Sequence, residues 1–305
     1  MKKCYYWSAF INTLSPTTEV SNTHFYNSIS NLGDDLNLEL FKKLFGKNNV
    51  EFLTKEKKHE ANYIAIGSIL HIFIDTSDNI LNKEKLYTFG TGFIEESQSI
   101  QEKYIKQIIP IGLRGKVTKN RLEKNGINCS KTVLGDWGLI TDYLFKTPKV
   151  EKKYDIGVIA HNINAKDPYL DILKKRDSVK IISIKQAPEL FIKELLSCKT
   201  ILSNAMHGLI LSDCYGIPNL NITLSNPLAG GTYKFYDYYS AFDIKPDFYT
   251  TDQIDKVEDL KDYIEKNYKV NQKKLKKVKS NLRKTFRKTK IKFFLRDIRY
   301  LLLCN

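Results

Sequence analysis

Cysteine is sparse in this 305-residue chain: Cys4, Cys129, Cys198, Cys214 and Cys304 are odd in number, show no paired spacing and form no CxxC. A disulfide framework or a zinc knuckle is therefore not the organising principle, and a reducing, cytoplasmic compartment is expected. No apolar run approaches the roughly 20 residues that cross a bilayer. The opening Met1-Lys2-Lys3 precedes only a short, mostly apolar stretch that ends at Asn12, so neither a secretory signal nor a membrane span is expected. Groupings of His, Cys, Asp and Glu at ligand spacing are missing, and no metal or cofactor is expected. No repeat of fixed period is visible. What is there, 42% hydrophobic, 27% charged and 12% aromatic residues, suits a folded chain and not a disordered or fibrous one.

The net charge of +15 invites a nucleic-acid partner until its position is considered. Fourteen Lys or Arg lie in 269–305 against the single acid Asp297, which leaves 35 basic and 33 acidic residues in the first 268 positions. The body is nearly neutral and the tail carries the charge, so no nucleic-acid partner is expected for the body. In the tail Leu275, Val278, Leu282, Phe286, Phe293 and Leu301 recur near helical spacing among lysines and arginines. This reads as a basic amphipathic helix. Two placements stay open: at an anionic membrane surface, or with the apolar side on the body and the lysines in water.

Short apolar segments alternate with helix-like stretches, the pattern of stacked βαβ units. Strands are expected over 5–11, 62–66, 86–89, 108–113, 155–160, 179–184, 200–202 and 219–224, with helices over 34–45, 116–125, 187–197 and 206–215. The Lys-rich stretch 146–153 reads as a linker. The expected fold class is α/β, two Rossmann-like domains over 1–147 and 148–268 facing a cleft, followed by the basic helix of 269–305.

Ligands in such sheets bind beyond the carboxyl ends of strands, and chemistry-bearing residues are found there. The apolar run ending at Ser203 turns through Asn204 and Ala205 and opens a helix at Met206, with His207 in its first turn. Backbone N–H groups and a positive helix end make this an anion site, and a histidine there can hold or move a proton; a capping Ser203 or Asn204 beside a packed histidine is the alternative. Arg114 follows another apolar strand and is either a surface residue or a bidentate clamp for carboxylate or phosphate. His161 also follows a strand, Lys234 sits among aromatics, and Gly33-Asp34 opens a helix as a cap or a ligand contact. His24, His59 and His71 have no such setting and receive no role.

The order of these motifs resembles the polysaccharide pyruvyl transferase family. Asn31-Leu32-Gly33-Asp34-Asp35-Leu36 is similar to its Asn-x-Gly-Asp-x-Leu, and Gly67-Ser68 and Gly90-Thr91-Gly92 to its next strand exits. Arg114-Gly115-Lys116-Val117-Thr118 with Gly135-Asp136 downstream, the strand ending in Ala160-His161, Met206-His207-Gly208 before Gly216-Ile217-Pro218, and Lys234-Phe235-Tyr236-Asp237-Tyr238 continue the likeness over roughly 30–240. Ala205 stands where many relatives carry Arg or Ser, and Ala160 where they carry proline.

The resemblance implies a glycosyltransferase-B-like architecture and transfer of the enolpyruvyl unit of phosphoenolpyruvate onto two hydroxyls of a sugar or lipid-linked oligosaccharide, giving a pyruvate ketal in cell-surface polysaccharide. It implies His207 and His161 as acid/base groups, Arg114 and Lys234 as anion contacts, and Ser203, Asn204, Gly33, Asp34, Ser68 and Gly92 around the substrate. A peripheral position at the inner face of the cell membrane would follow from the tail. The alternative is a nucleotide-sugar-dependent glycosyltransferase of the same architecture, although the helix after His207 offers only Asp213 for a ribose.

Overall fold

Strands that are apolar at consecutive positions need cover on both faces, which parallel sheets obtain from the helices that connect their strands. A computed structural model of the chain describes residues 2–5, 32–53, 60–74, 85–96, 100 and 102–303, without the side chains of 2, 5, 34, 103 and 296–303. Two parallel sheets organise the described residues. In the first, β1 (Lys2–Tyr5), β2 (Val50–Phe52), β3 (Tyr63–Ile64), β4 (Leu86–Thr91), β5 (Ile108–Leu113) and β6 (Val133–Leu134) lie in the order β2-β1-β3-β4-β5-β6. In the second, β7 (Tyr154–Ile159), β8 (Val179–Ile182), β9 (Cys198–Ser203) and β10 (Asn219–Asn221) lie in the order β10-β9-β7-β8. Every named pair is parallel. The α/β reading with parallel strands therefore holds. Strand 108–113 is found at its expected bounds; 5–11 meets β1 only at Tyr5, and 6–11 fall outside the described residues.

The connecting helices are α1 (Leu32–Phe45), α2 (His71–Ile74), α3 (Glu102–Ile105), α4 (Lys116–Lys124), α5 (Thr141–Leu144), α6 (Tyr169–Lys174), α7 (Pro188–Leu196) and α8 (Met206–Cys214). In α1, Leu32, Leu36, Leu40, Phe41 and Leu44 recur at helical spacing and are all buried. In helix α8 every residue but His207 is buried, Ser212 and Asp213 included, as befits a helix enclosed by the molecule and not one lying on its surface. Residues 146–153 run without regular structure between α5 and β7. After β10 come α9 (Tyr233–Ser240), α10 (Thr251–Asp255), α11 (Leu260–Asn267) and α12 (Gln272–Leu303).

Helix α12 returns to the first sheet. Leu275, Leu282, Phe286 and Phe293 are buried in one cluster with residues of α1, β4 and α8. Phe293 meets the rings of Phe45, Tyr63 and Tyr87, and Phe286 approaches Trp137 at 6.1 Å between centroids. Lys279 and Arg283 pair with Asp142, and Lys279 also donates to the carbonyl of Cys214 at the end of α8. Of the two placements open for the tail, its apolar stripe takes the one on the body. The Leu301 side chain and Cys304 fall outside the described residues.

Candidate functional site

Strands of both sheets end at one cavity of about 360 Å3. Ser68, Ile69 and His71 follow β3; His161 follows β7; Ala205, Met206 and His207 follow β9; Leu32 opens α1, and Lys234 reaches in from α9. The volume is that of a small-molecule site. No Asp or Glu is among the described lining residues, while three imidazoles and one ammonium are. The first turns of α1 and α8 both border the space, and two helix N-termini add their partial positive charge.

The contact between those helices is made by Gly33. A Cβ at this position would lie 1.8 Å from His207 Nδ1, so only glycine lets α1 press on the imidazole. His207 Nε2 is shut off from solvent and has no hydrogen-bond partner among the described residues. Burial first, then the positive charges of Lys234, Arg114 and His161, push its pKa down to about 3. His161 is held below its ordinary value too, at about 4, by burial and then by Lys234. Its Nδ1 accepts from the backbone N–H of Ile163 at 3.4 Å, and the backbone N–H of His161 donates to Asn204 Oδ1 at 2.7 Å. Both imidazoles are therefore neutral at pH 7.

Behind the cavity wall lies a buried ion pair. Arg114 is fully buried; its Nε donates to Asp237 Oδ2 at 2.8 Å, its Nη2 to the carbonyl of Phe93 at 2.6 Å and its Nη1 to Ser68 Oγ at 2.6 Å. Asp237 also accepts from the backbone N–H of Thr118 at 2.8 Å and its hydroxyl at 2.7 Å. One residue thus ties α9 to the exit of β5 and the start of α4. The backbone fits this closely: a Cβ at Gly115 would stand 1.7 Å from the Asp237 carbonyl oxygen. Because Lys234 lies one turn before Asp237 on α9, the tie sets where its ammonium enters the cavity.

Of the residues singled out in the sequence, His207, His161, Lys234 and Ser68 line the cavity. Arg114 is not among its described lining residues, and touches it through Ser68 and Met206. Gly92 backs onto the Arg114–Asp237 pair, where a Cβ would meet Asp237 Oδ2 at 2.5 Å. Ser203 is fully buried; its hydroxyl reaches the Ile159 carbonyl at 2.9 Å and accepts from the Ala205 N–H at 3.0 Å, holding the turn between β9 and α8. Asn204 joins the ends of β7 and β9 through His161. Both side chains hold the turn, and neither caps α8, whose N-cap is Ala205 without a side-chain bond. The Asp34 backbone is in the first turn of α1 and its side chain, with Asn31, His24 and His59, falls outside the described residues. His71, given no role in the sequence, lines the cavity; it stands three residues after Ser68 at a strand exit, the setting that marked the other two histidines. Asp237 was within a noted segment, but nothing in sequence pairs it with Arg114, 123 positions away. Among the described residues no cluster of His, Cys, Asp or Glu is able to hold a metal ion.

Residues 31–226, which span this strand-exit apparatus up to the end of the second sheet, match the sequence profile of the polysaccharide pyruvyl transferase family. The chain belongs to that family. A protein of Acanthamoeba polyphaga mimivirus is 29% identical over 232 residues, 74% of this chain and 76% of the relative. Among solved structures, a Klebsiella pneumoniae protein aligns at TM-score 0.43 and 13% identity, covering 72% of this chain and 89% of that one. The wall teichoic acid polymerase TagF aligns at TM-score 0.37 and 9% identity, with 83% and 78% covered. Likenesses this distant carry no conclusion about the site.

Proposed function

We propose that the chain is a pyruvyl transferase that moves the enolpyruvyl unit of phosphoenolpyruvate onto two hydroxyls of a sugar acceptor, free or lipid-linked, in the cleft between two Rossmann-like, glycosyltransferase-B-like domains. The observation that carries this reading, beside the family, is the convergence on one cavity of an ammonium, neutral imidazoles and two helix ends, with no carboxylate among its described lining residues. Such a site suits a small ligand that bears a carboxylate and a phosphate together.

In this reading Lys234 and the first turns of α1 and α8 hold the donor anion, taking the part expected of Arg114. Arg114 acts as a positioning residue through Ser68, Met206 and, by way of Asp237, Lys234. The chemistry balances as follows. One acceptor hydroxyl adds to C2 of the donor while C3 gains a proton and becomes a methyl group; the second hydroxyl displaces phosphate from C2, and its proton leaves with the phosphate. His207 and His161 are placed to pass those protons. Each enters the reaction neutral; the arriving negative charges offset Lys234 and Arg114 and raise the imidazole pKa into the range where a proton is held and given up.

Incubation with phosphoenolpyruvate and a panel of acceptor glycosides should release inorganic phosphate. In His207→Gln that rate should drop by about 10² or more with the melting behaviour retained. An undiminished rate removes the histidine from the chemistry. Thermal stabilisation by nucleotide sugars, with none by phosphoenolpyruvate, would transfer the reading to a glycosyltransferase.

A further inference from the structure

We propose that the outward face of α12 docks on the surface of an anionic lipid bilayer, through residues distinct from the stripe that covers the body. At 100° per residue, Leu275, Val278, Leu282, Phe286 and Phe293 form one row, and Leu275, Leu282, Phe286 and Phe293 are buried. Roughly opposite, at spacings of three and four, run Lys273, Lys276, Lys277, Lys284, Arg287 and Lys288, and then Ile291, Phe294 and Leu295. The last three are 59%, 64% and 53% exposed, large apolar side chains that a water-facing helix has no reason to display side by side. The same face is thus cationic along most of its length and apolar near its end.

Its charge is also unneutralised, whereas the charge toward the body is not. Lys274, Lys279 and Arg283 pair with Asp243 and Asp142, but Lys284, Arg287, Lys288, Lys290 and Lys292 form no ion pair among the described residues. Cations spread along a helix followed by inserted Ile, Phe and Leu match a surface that offers negative headgroups above hydrocarbon. No helix among the described residues is long and apolar enough to cross a membrane, so the helix lies on the surface. Nucleic acid would satisfy the cations and leave the apolar end in water.

Sedimentation with vesicles tests this on the full chain. Vesicles containing phosphatidylglycerol should carry the protein down in a salt-sensitive way, and pure phosphatidylcholine should bind it at least about tenfold less. Phe294→Glu with Leu295→Glu should weaken partition by about tenfold or more at an unchanged melting temperature, because both side chains are already exposed. Arg287→Gln with Lys288→Gln should flatten the salt dependence. Equal binding to the two vesicle types, or partition unaffected by the double glutamate variant, overturns the proposal. So does tight binding to duplex DNA without vesicle binding, or self-association that the glutamates abolish in the absence of lipid.

Discussion

A histidine held neutral by burial makes the folded chain sensitive to acid. The pKa of His207 is about 3 in the folded chain against an ordinary 6.5, so between those values the unfolded chain holds a proton that the folded chain does not. Folding stability from this group is complete above about pH 6.5 and is lost as the pH falls toward 3. The buried carboxyls of Asp136 and Asp213, raised mainly by burial to about 6, work the other way, since the folded chain keeps their protons over a range where the unfolded chain releases them. His207→Gln separates the two effects. Its urea midpoint relative to the parent chain should rise as the pH is lowered from 7 to about 4.5, and a difference independent of pH would show that the imidazole does not titrate low. Most of this residue-level picture was legible: His207, His161 and Ser68 could be named because strand exits in parallel sheets are where ligands bind, and Lys234 because it sits in an aromatic segment similar to the family's. Arg114 was visible as special, but not its commitment to Asp237 and Ser68, because a buried partner more than a hundred positions away leaves no local signal.

At the scale of elements, α9 depends on one carboxylate. Asp237 serves the Arg114 guanidinium and both Thr118 donors without exposure to water. Asp237→Asn leaves that guanidinium buried without its counter-charge and should destabilise the fold by about 3–5 kcal/mol. Pairing it with Arg114→Met should restore part of the loss, read as a non-additive double-mutant cycle in denaturant. Additive losses would mean the two side chains do not act as a unit. Strands β4, β5, β7 and β9 and helices α1, α4, α7 and α8 were readable from apolar runs and helical periodicity. Strands β2 and β6 were not: three and two residues long, they take their conformation from the neighbour they pair with and carry no pattern of their own. Helix α9 was hidden by its composition, for it buries Lys234 and Asp237 alongside its tyrosines and so has no clean apolar stripe.

For the molecule as a whole, the two faces of α12 do different work. Leu282→Ala removes a fully buried side chain from a cluster shared by both sheets and should destabilise by about 2–5 kcal/mol, whereas Leu295→Ala, over half exposed, should stay within about 0.5 kcal/mol. Equal effects would contradict the assignment of faces. The sequence showed that a basic amphipathic helix exists but not which surface its apolar stripe covers, because periodicity defines a stripe and not its partner.

The return of α12 also bears on the order in which the chain folds. Phe45, Tyr63 and Trp137 take ring neighbours from Phe286 and Phe293, so the packing of the first sheet draws on residues more than 140 positions further along the chain. Pairings of such high sequence separation slow folding, which places the seating of α12 among the later steps by which this fold is completed.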